Sequence, residues 1–372
     1  MEIAAFGVEE WLNDWEKQAV YDIAGSSIDS LTVTEVLALG GISQEEFLED
    51  LLQKKLNYGW IEGSPTFKKE VAKLYQHVAM SQILQTNGAT GANHLALYAL
   101  IEKGDHVISL YPSYQQLYDI PKSLGAEVSL WQIHEEEGWL PSLDELRSMI
   151  RPNTKMICIN NANNPTGAVM ERPFLEELVS IAQEVGAYIL SDEVYKPLDS
   201  RYDVPAIVDL YEKGISVNSM SKTYSVAGVR VGWIVASDDL SNLFRKYRDY
   251  TMICAGVVDD ALASYVLQHK DAVLARNQAI VAENLQLVRD WVEEEPRVSL
   301  VYPSAVPVSF IKLDVPEEIE SFCLRLLQEK GVLLVPGNRF DRPGYARLGY
   351  CTQANTLKTG LALLSDFLRQ YD

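Results

Sequence analysis

Lys222 offers the most reactive chemistry in the chain. It stands in Ser219-Met220-Ser221-Lys222-Thr223, directly after the apolar run 215–218. Most loop lysines are simply solvated. An amine set among hydroxyl side chains at the end of a buried strand is partly desolvated instead. Its pKa falls, and the neutral amine can condense with a carbonyl to give a Schiff base. That chemistry implies a carbonyl cofactor. Pyridoxal phosphate also needs an acid beside its ring nitrogen, so that the ring stays protonated and accepts electrons. Asp192, in Ser191-Asp192-Glu193-Val194-Tyr195, can be that acid, although alone it reads equally as a helix cap or a surface carboxylate. Tyr195 can bond the phenolic oxygen of the ring. Asn164, in Asn161-Ala162-Asn163-Asn164-Pro165-Thr166-Gly167, can do the same, in a stretch that also has ordinary turn chemistry.

A phosphate needs a cradle. Residues 85–93, Gln-Thr-Asn-Gly-Ala-Thr-Gly-Ala-Asn, precede a helical run, and the free N–H groups at a helix start bind anions. The spacing is neither GxGxxG nor GxxxxGK[ST], so neither a dinucleotide fold nor a P-loop is supported. Arg230 can neutralise the phosphate, with Ser219 and Ser221 adding hydroxyls. Tyr114, in Tyr111-Pro112-Ser113-Tyr114, offers a ring to stack on a cofactor or to pack in the core. Arg347, in Tyr345-Ala346-Arg347-Leu348-Gly349-Tyr350, sits among apolar residues. Such a guanidinium wants an anion, either a bidentate substrate carboxylate or an internal partner.

These residues must be brought together by the elements around them. Strands are expected at 106–110, 128–131, 155–160, 187–190, 215–218 and 231–236. Helices are expected from the Ser64-Pro65 start, from a Ser142–Glu145 capping box, and from Pro173 to Gly186. Strands alternating with helices mean an α/β fold, a mostly parallel sheet sandwiched by helices. Ligands bind such sheets beyond the carboxyl ends of the strands, where the loops of Asn164, Asp192 and Lys222 all fall. After about residue 260 the pattern changes. A stretch without Pro or Gly (259–295) reads as one long helix, followed by strand-like VPVSFIKLDV, a helix over 317–330, VLLVP, YARLGY and a last helix. This is a smaller α+β unit. The expected division is a large domain at 31–265 and a small one built from 1–30 plus 266–372, in keeping with the length of 372 residues.

Composition removes several classes. Fifty-two acids against 32 bases give a formal charge of −20, which argues against a nucleic-acid surface or a polybasic membrane anchor. No apolar run reaches 18 residues and the first segment lacks a basic n-region, so no membrane span or signal peptide is expected. The four cysteines show no CxxC and the five histidines no metal-ligand spacing. A metal site is therefore not expected, and a reducing, cytoplasmic setting is.

In combination the motifs resemble the fold-type I pyridoxal-phosphate enzymes, specifically the class I/II aminotransferase family (the aspartate aminotransferase superfamily). NNPTG matches its Asn-Pro-x-Gly signature, SDEVY its Asp-x-x-Tyr signature, and SMSKTYSVAGVRVGW its lysine signature; the likeness runs from about residue 57 to 347. The resemblance implies that Lys222 holds the cofactor as a Schiff base and shuttles the substrate proton. It implies that Asp192 pairs with the ring nitrogen, that Asn164 and Tyr195 bond the ring oxygen, and that Tyr114 stacks. Ala89, Thr90, Ser219, Ser221 and Arg230 would hold the phosphate, and Arg347 the α-carboxylate of an amino acid. Gly25, in YDIAGSS, would line the substrate pocket, and Tyr58 would reach the phosphate of a neighbouring subunit, which implies a homodimer with shared sites.

The implied activity is a two-stage exchange of an amino group between an amino acid and a 2-oxo acid. The opening FGVEEWLNDWEKQAVYDIAGSS more closely resembles the capreomycidine synthase-like branch, which brings in elimination, replacement or cyclisation on the same cofactor as the alternative. Arg339, in PGNRFD, stands where a smaller residue is expected and becomes a candidate contact for the substrate or a second carboxylate.

Overall fold

In the computed structural model, which describes residues 2–372, strands β2 (Ile83–Thr86), β3 (His106–Tyr111), β4 (Glu127–Gln132), β5 (Thr154–Asn160), β6 (Tyr188–Asp192), β7 (Gly214–Ser219) and β8 (Gly232–Val235) form the central sheet. Their order is β2-β8-β7-β6-β5-β3-β4. All neighbours run parallel except β8, which is antiparallel to both β2 and β7. The central strands are apolar at successive positions because both faces are covered. Val107, Met156, Cys158 and Leu190 pack with Leu95, Ala96 and Phe244 of the helices Gly88–Leu100 and Asp238–Arg248. Ile108, Ile157, Ile159 and Ile189 pack on the other face with Leu175, Leu178 and Ala182 of the helix Arg172–Val185. Alternation of side chains along a strand accounts for the split.

The six expected strands are all present, with ends moved by a residue or two. Asp192 is the last residue of β6 rather than the start of a loop. β2 occupies the start of the stretch expected to be a cradle loop. The helix behind it begins at Gly88, so Ala89 and Thr90 sit inside its first turn. Ser142 caps its helix, its Oγ accepting a hydrogen bond from Glu145 N (3.3 Å), but the return bond of a capping box is not made. The stretch 259–295 is not one helix. It breaks at His269 into Val257–Gln268 and Lys270–Glu294, where His269 leaves helical geometry at φ −110°, ψ 21°.

The remaining strands are β1 (Tyr21–Asp22), β9 (Val298–Ser299), β10 (Val308–Leu313), β11 (Val332–Leu333), β12 (Val335–Pro336) and β13 (Tyr345–Gly349). β10, β13, β12 and β9 make an antiparallel sheet, and β1 pairs with β11. That pairing ties the first residues of the chain to its last third. It also places Ala24, Gly25 and Ser26 against β13, the strand that carries Arg347. The approach is close: a Cβ on Gly349 would lie 1.5 Å from the Gly25 carbonyl oxygen.

Candidate active site

The carboxyl ends of β5, β6 and β7 open into a cavity of about 450 Å³. Each of the three loops read from the sequence reaches it. The β5 loop is held in shape by its own amides: Asn164 N donates to Asn160 Oδ1 (2.7 Å), and Asn163 Oδ1 accepts from Thr166 Oγ1 (2.7 Å). Main-chain bonds from Asn161 N to the Asp192 carbonyl (2.9 Å) and from Ala162 N to the Tyr195 carbonyl (3.1 Å) then lock this loop to its neighbour. Asn164, Asp192 and Tyr195 are thereby fixed relative to one another.

Asp192 is 2 % exposed. Burial pushes its carboxyl up to about 6, against the pull of hydrogen bonds from Asn93 Nδ2 (2.7 Å) and Val194 N (3.2 Å). The Lys222 amine is held down at about 8, first by burial and then by the positive charge of Arg347. Its Nζ donates to Ser26 Oγ at 2.6 Å. Burial raises the Tyr195 phenol to about 12, although the Arg347 charge works the other way. Tyr114 is likewise pushed up to about 12 by burial, and its ring lies 5.2 Å from that of Phe6.

At the β2–β8 end the backbone is drawn tight. A Cβ on Gly232 would lie 2.4 Å from the carbonyl carbon of Gly88, so the strand can pass the helix start only as glycine. Gly88 has φ +65°, and a Cβ there would meet Arg230 Nη2 at 2.8 Å. Arg230 therefore lies across the first turn of the helix Gly88–Leu100. Its one hydrogen bond is from Nη1 to the Ala227 carbonyl (3.0 Å), and it forms no ion pair among the described residues. Orphan first-turn amides, an unpaired guanidinium and the hydroxyls of Ser219 and Ser221 make a site for a dianion.

At the opposite wall Arg347 is 1 % exposed. Nη1 donates to Asn164 Oδ1 (3.2 Å) and Nη2 to the Ala24 carbonyl (3.0 Å), while Nε has no acceptor among the described residues. A buried cation without a carboxylate is costly, and burial holds its pKa below the usual value. The group is built to receive an anion.

Twelve of the fourteen residues singled out from the sequence line this one cavity: Ala89, Thr90, Tyr114, Asn164, Asp192, Tyr195, Ser219, Ser221, Lys222, Arg230, Arg339 and Arg347. Gly25 does not; its neighbours Ser26 and Ala24 supply the contacts instead. Tyr58 is 77 % exposed and borders a separate cleft with Trp60 and Lys54. Arg339 lines the cavity, but Nη2 is engaged by Glu320 (2.5 Å) and Nη1 by Glu10 (3.4 Å). Sequence reasoning did not find Ser26, Asn160, Phe6 and Glu9, which also line the cavity, nor Asn93, which bonds Asp192 from behind it.

Residues 43–362 match the family described as aminotransferase class I and II. The chain belongs to that family. This aminotransferase is 32% identical to the aspartate aminotransferase of Thermotoga maritima over 310 residues, 81% of this chain and 79% of the relative. It is 27% identical to the capreomycidine synthase of Streptomyces vinaceus over 371 residues, 98% of this chain and 94% of that one. A solved structure of a PLP-dependent aminotransferase from Streptococcus suis superposes with a TM-score of 0.98 at 63% identity, covering 100% of this chain and 99% of the other. The enzyme is a transaminase of the fold-type I class, and its cofactor is pyridoxal 5′-phosphate. The donor set of the cavity fits that group: first-turn amides with the Arg230 guanidinium, the buried Asp192 carboxyl and the Lys222 amine all line it.

Proposed function

We propose that this aminotransferase moves an amino group between an amino acid and a 2-oxo acid at the cavity below β5–β7, with Lys222 as the amine that bonds the cofactor. The observation that carries the reading is the juxtaposition, in one cavity, of a neutralisable lysine, a buried acid and a carboxylate-seeking arginine. Pyridoxal phosphate, when bound, supplies a carbonyl carbon that condenses with amines and a protonated ring that draws electrons from the substrate α-carbon. Asp192 would hold the ring proton, with Asn93 holding Asp192 in place. Asn164 and Tyr195 would donate to the ring oxygen, and Tyr114 would cover one face of the ring. Ala89, Thr90, Ser219, Ser221 and Arg230 would bind the phosphate. Arg347 would bind the α-carboxylate, which fixes the orientation of the α-carbon. Lys222 Nζ, with a pKa near 8, is close enough to neutrality to take a proton from that carbon and return it elsewhere.

Three finer statements belong to the same reading. The large unit spans 31–265, and the small one combines 1–30 with 266–372, in agreement with the β1–β11 pairing. The enzyme works as a homodimer: Tyr58 lies outside its own cavity, in an outward-facing apolar stretch with Leu52, Leu56 and Trp60, and would complete the phosphate site of a second copy. Its setting is the cytoplasm, which the four unpaired cysteines support. No helix among the described residues is long and apolar enough to cross a membrane.

Elimination or cyclisation on the same cofactor is the second reading, favoured by the length over which the chain aligns with capreomycidine synthase. The test of the Lys222 assignment is borohydride reduction of the holoenzyme followed by peptide mass spectrometry. The cofactor mass should appear on the peptide containing Lys222. Its appearance on another lysine, or on none, would remove the assignment.

A further inference from the structure

We propose that Ser26 is a further catalytic residue, whose hydroxyl seats the Lys222 amine whenever that amine is not bonded to the cofactor. The proposal rests on the assignment of Lys222 above. Ser26 stands on the segment that follows β1, 196 positions from Lys222 in the chain, and its Oγ accepts from Lys222 Nζ at 2.6 Å. The same hydroxyl pulls the Tyr195 phenol down against its burial, so one serine stands beside both the reacting amine and the tyrosine assigned to the ring oxygen. Ser26 lines the cavity, whereas Gly25 beside it packs on Gly349.

The position of Ser26 is set from three sides. Asp22 Oδ1 accepts from Ala24 N (2.9 Å) and Gly25 N (3.2 Å), which bends the chain just before the serine. The Ala24 carbonyl accepts from Arg347 Nη2 (3.0 Å). Gly349 N donates to the Ile23 carbonyl (2.9 Å). The arginine assigned to the substrate carboxylate and the serine that holds the lysine therefore hang from one short piece of backbone.

The consequence is chemical. A neutral amine has two N–H donors and one lone pair. With one N–H given to Ser26 Oγ, rotation about Cε–Nζ is restricted and the lone pair is kept off the serine, free to take a proton. The Ser26 proton stays on the serine, turned away from the lone pair of the amine. The charged groups that face Lys222 are Arg347, Glu9, Asp192 and Arg230, with Glu16 and the Tyr195 phenol beside them. None of them is within ion-pair distance of Nζ, so among the described residues the serine is the polar group in direct contact with it.

The experiment compares Ser26→Ala, Ser26→Thr and Lys222→Ala with the wild type. Two readouts are used: steady-state kinetics of the holoenzyme, and the pH dependence of acylation of the Lys222 amine in cofactor-free protein, followed by peptide mass spectrometry. Ser26→Ala is expected to lower kcat by roughly 10-fold, with KM changed less than about 2-fold. It should also move the midpoint of Lys222 acylation to lower pH, because the ammonium form loses an acceptor. Ser26→Thr, which keeps the hydroxyl, should restore both. An unchanged kcat and acylation midpoint in Ser26→Ala would overturn the proposal. So would equal damage in Ala and Thr, which would mark a packing role. A Lys222→Ala enzyme that still bonds the cofactor covalently would overturn the underlying assignment instead.

Discussion

Removing the Arg347 guanidinium should weaken every amino-acid substrate, whatever its side chain. Arg347 offers five N–H donors. Two are committed, to Asn164 Oδ1 and the Ala24 carbonyl, and Nε is buried without a partner. Three remain for a carboxylate, enough for a bidentate pair. Two charge-assisted hydrogen bonds at about 1.5 kcal/mol each give about 3 kcal/mol, roughly 150-fold in binding. The lower figure suits this site, because the variant also relieves an unneutralised buried charge. Arg347→Ala should therefore raise KM by about two orders of magnitude for acidic, neutral and basic amino acids alike. The change in kcat should be smaller, since the carboxylate is held in both ground and transition states. The assay is steady-state kinetics against a panel of amino acids, with dissociation constants from spectral titration. A KM within a few-fold of wild type for the panel would mean that another group holds the carboxylate. A large effect confined to one side-chain class would mean that Arg347 reads the side chain.

The Lys222 amine also makes a stability prediction. Burial lowers its pKa from 10.5 to about 8, which is worth about 3 kcal/mol. A depressed pKa means that this stability is present above 10.5 and lost as pH falls through 8. Cofactor-free Lys222→Met should thus exceed wild type by up to about 3 kcal/mol at pH 7 in urea unfolding, with the gap closing toward pH 10; a gap independent of pH would contradict the desolvation account. Asp192, raised to about 6, must be ionised to meet a ring N–H, so cofactor affinity of the apoprotein should fall as pH drops below 6. Asn93→Leu should move that midpoint upward, as equilibrium titration would show; an unmoved midpoint would count against the role of Asn93. Mixing Tyr58→Ala with Lys222→Ala chains should regain up to about a quarter of wild-type activity, since half the dimers are mixed and carry one intact site each. No regain would remove the shared site.

Much of the site was legible because its residues directly follow apolar strands. Asn164, Asp192 and Lys222 each fall at the carboxyl end of a strand that reads as buried, and a parallel sheet brings such ends together. Ser26, Asn93 and Glu9 were not legible for the opposite reason. Ser26 reaches the site through the β1–β11 pairing and the contacts of residues 23–25 with β13, and nothing near residue 22 announces partners at 333 or 349. Asn93 has helical spacing like any other residue of its segment, and its contact with Asp192 spans 99 positions. β2 was missed because a four-residue antiparallel strand has little periodicity to show, and that shifted the phosphate cradle from a loop into a helix turn. The break at His269 has no Gly or Pro to mark it. At the break the Tyr265 and His269 rings lie 4.5 Å apart, a contact that spacing of residue types does not announce.

The central claim is that this aminotransferase stores the amino group on its cofactor between two half-reactions. The direct measurement is a visible absorption spectrum of the holoenzyme after pooled amino acids, then after pooled 2-oxo acids, with Lys222→Ala in parallel. The account predicts that the aldehyde band of the wild type is replaced by that of the amine form and returns with the oxo acids, while the variant does neither. An aldehyde band that persists while ammonia or a cyclised product accumulates would contradict it.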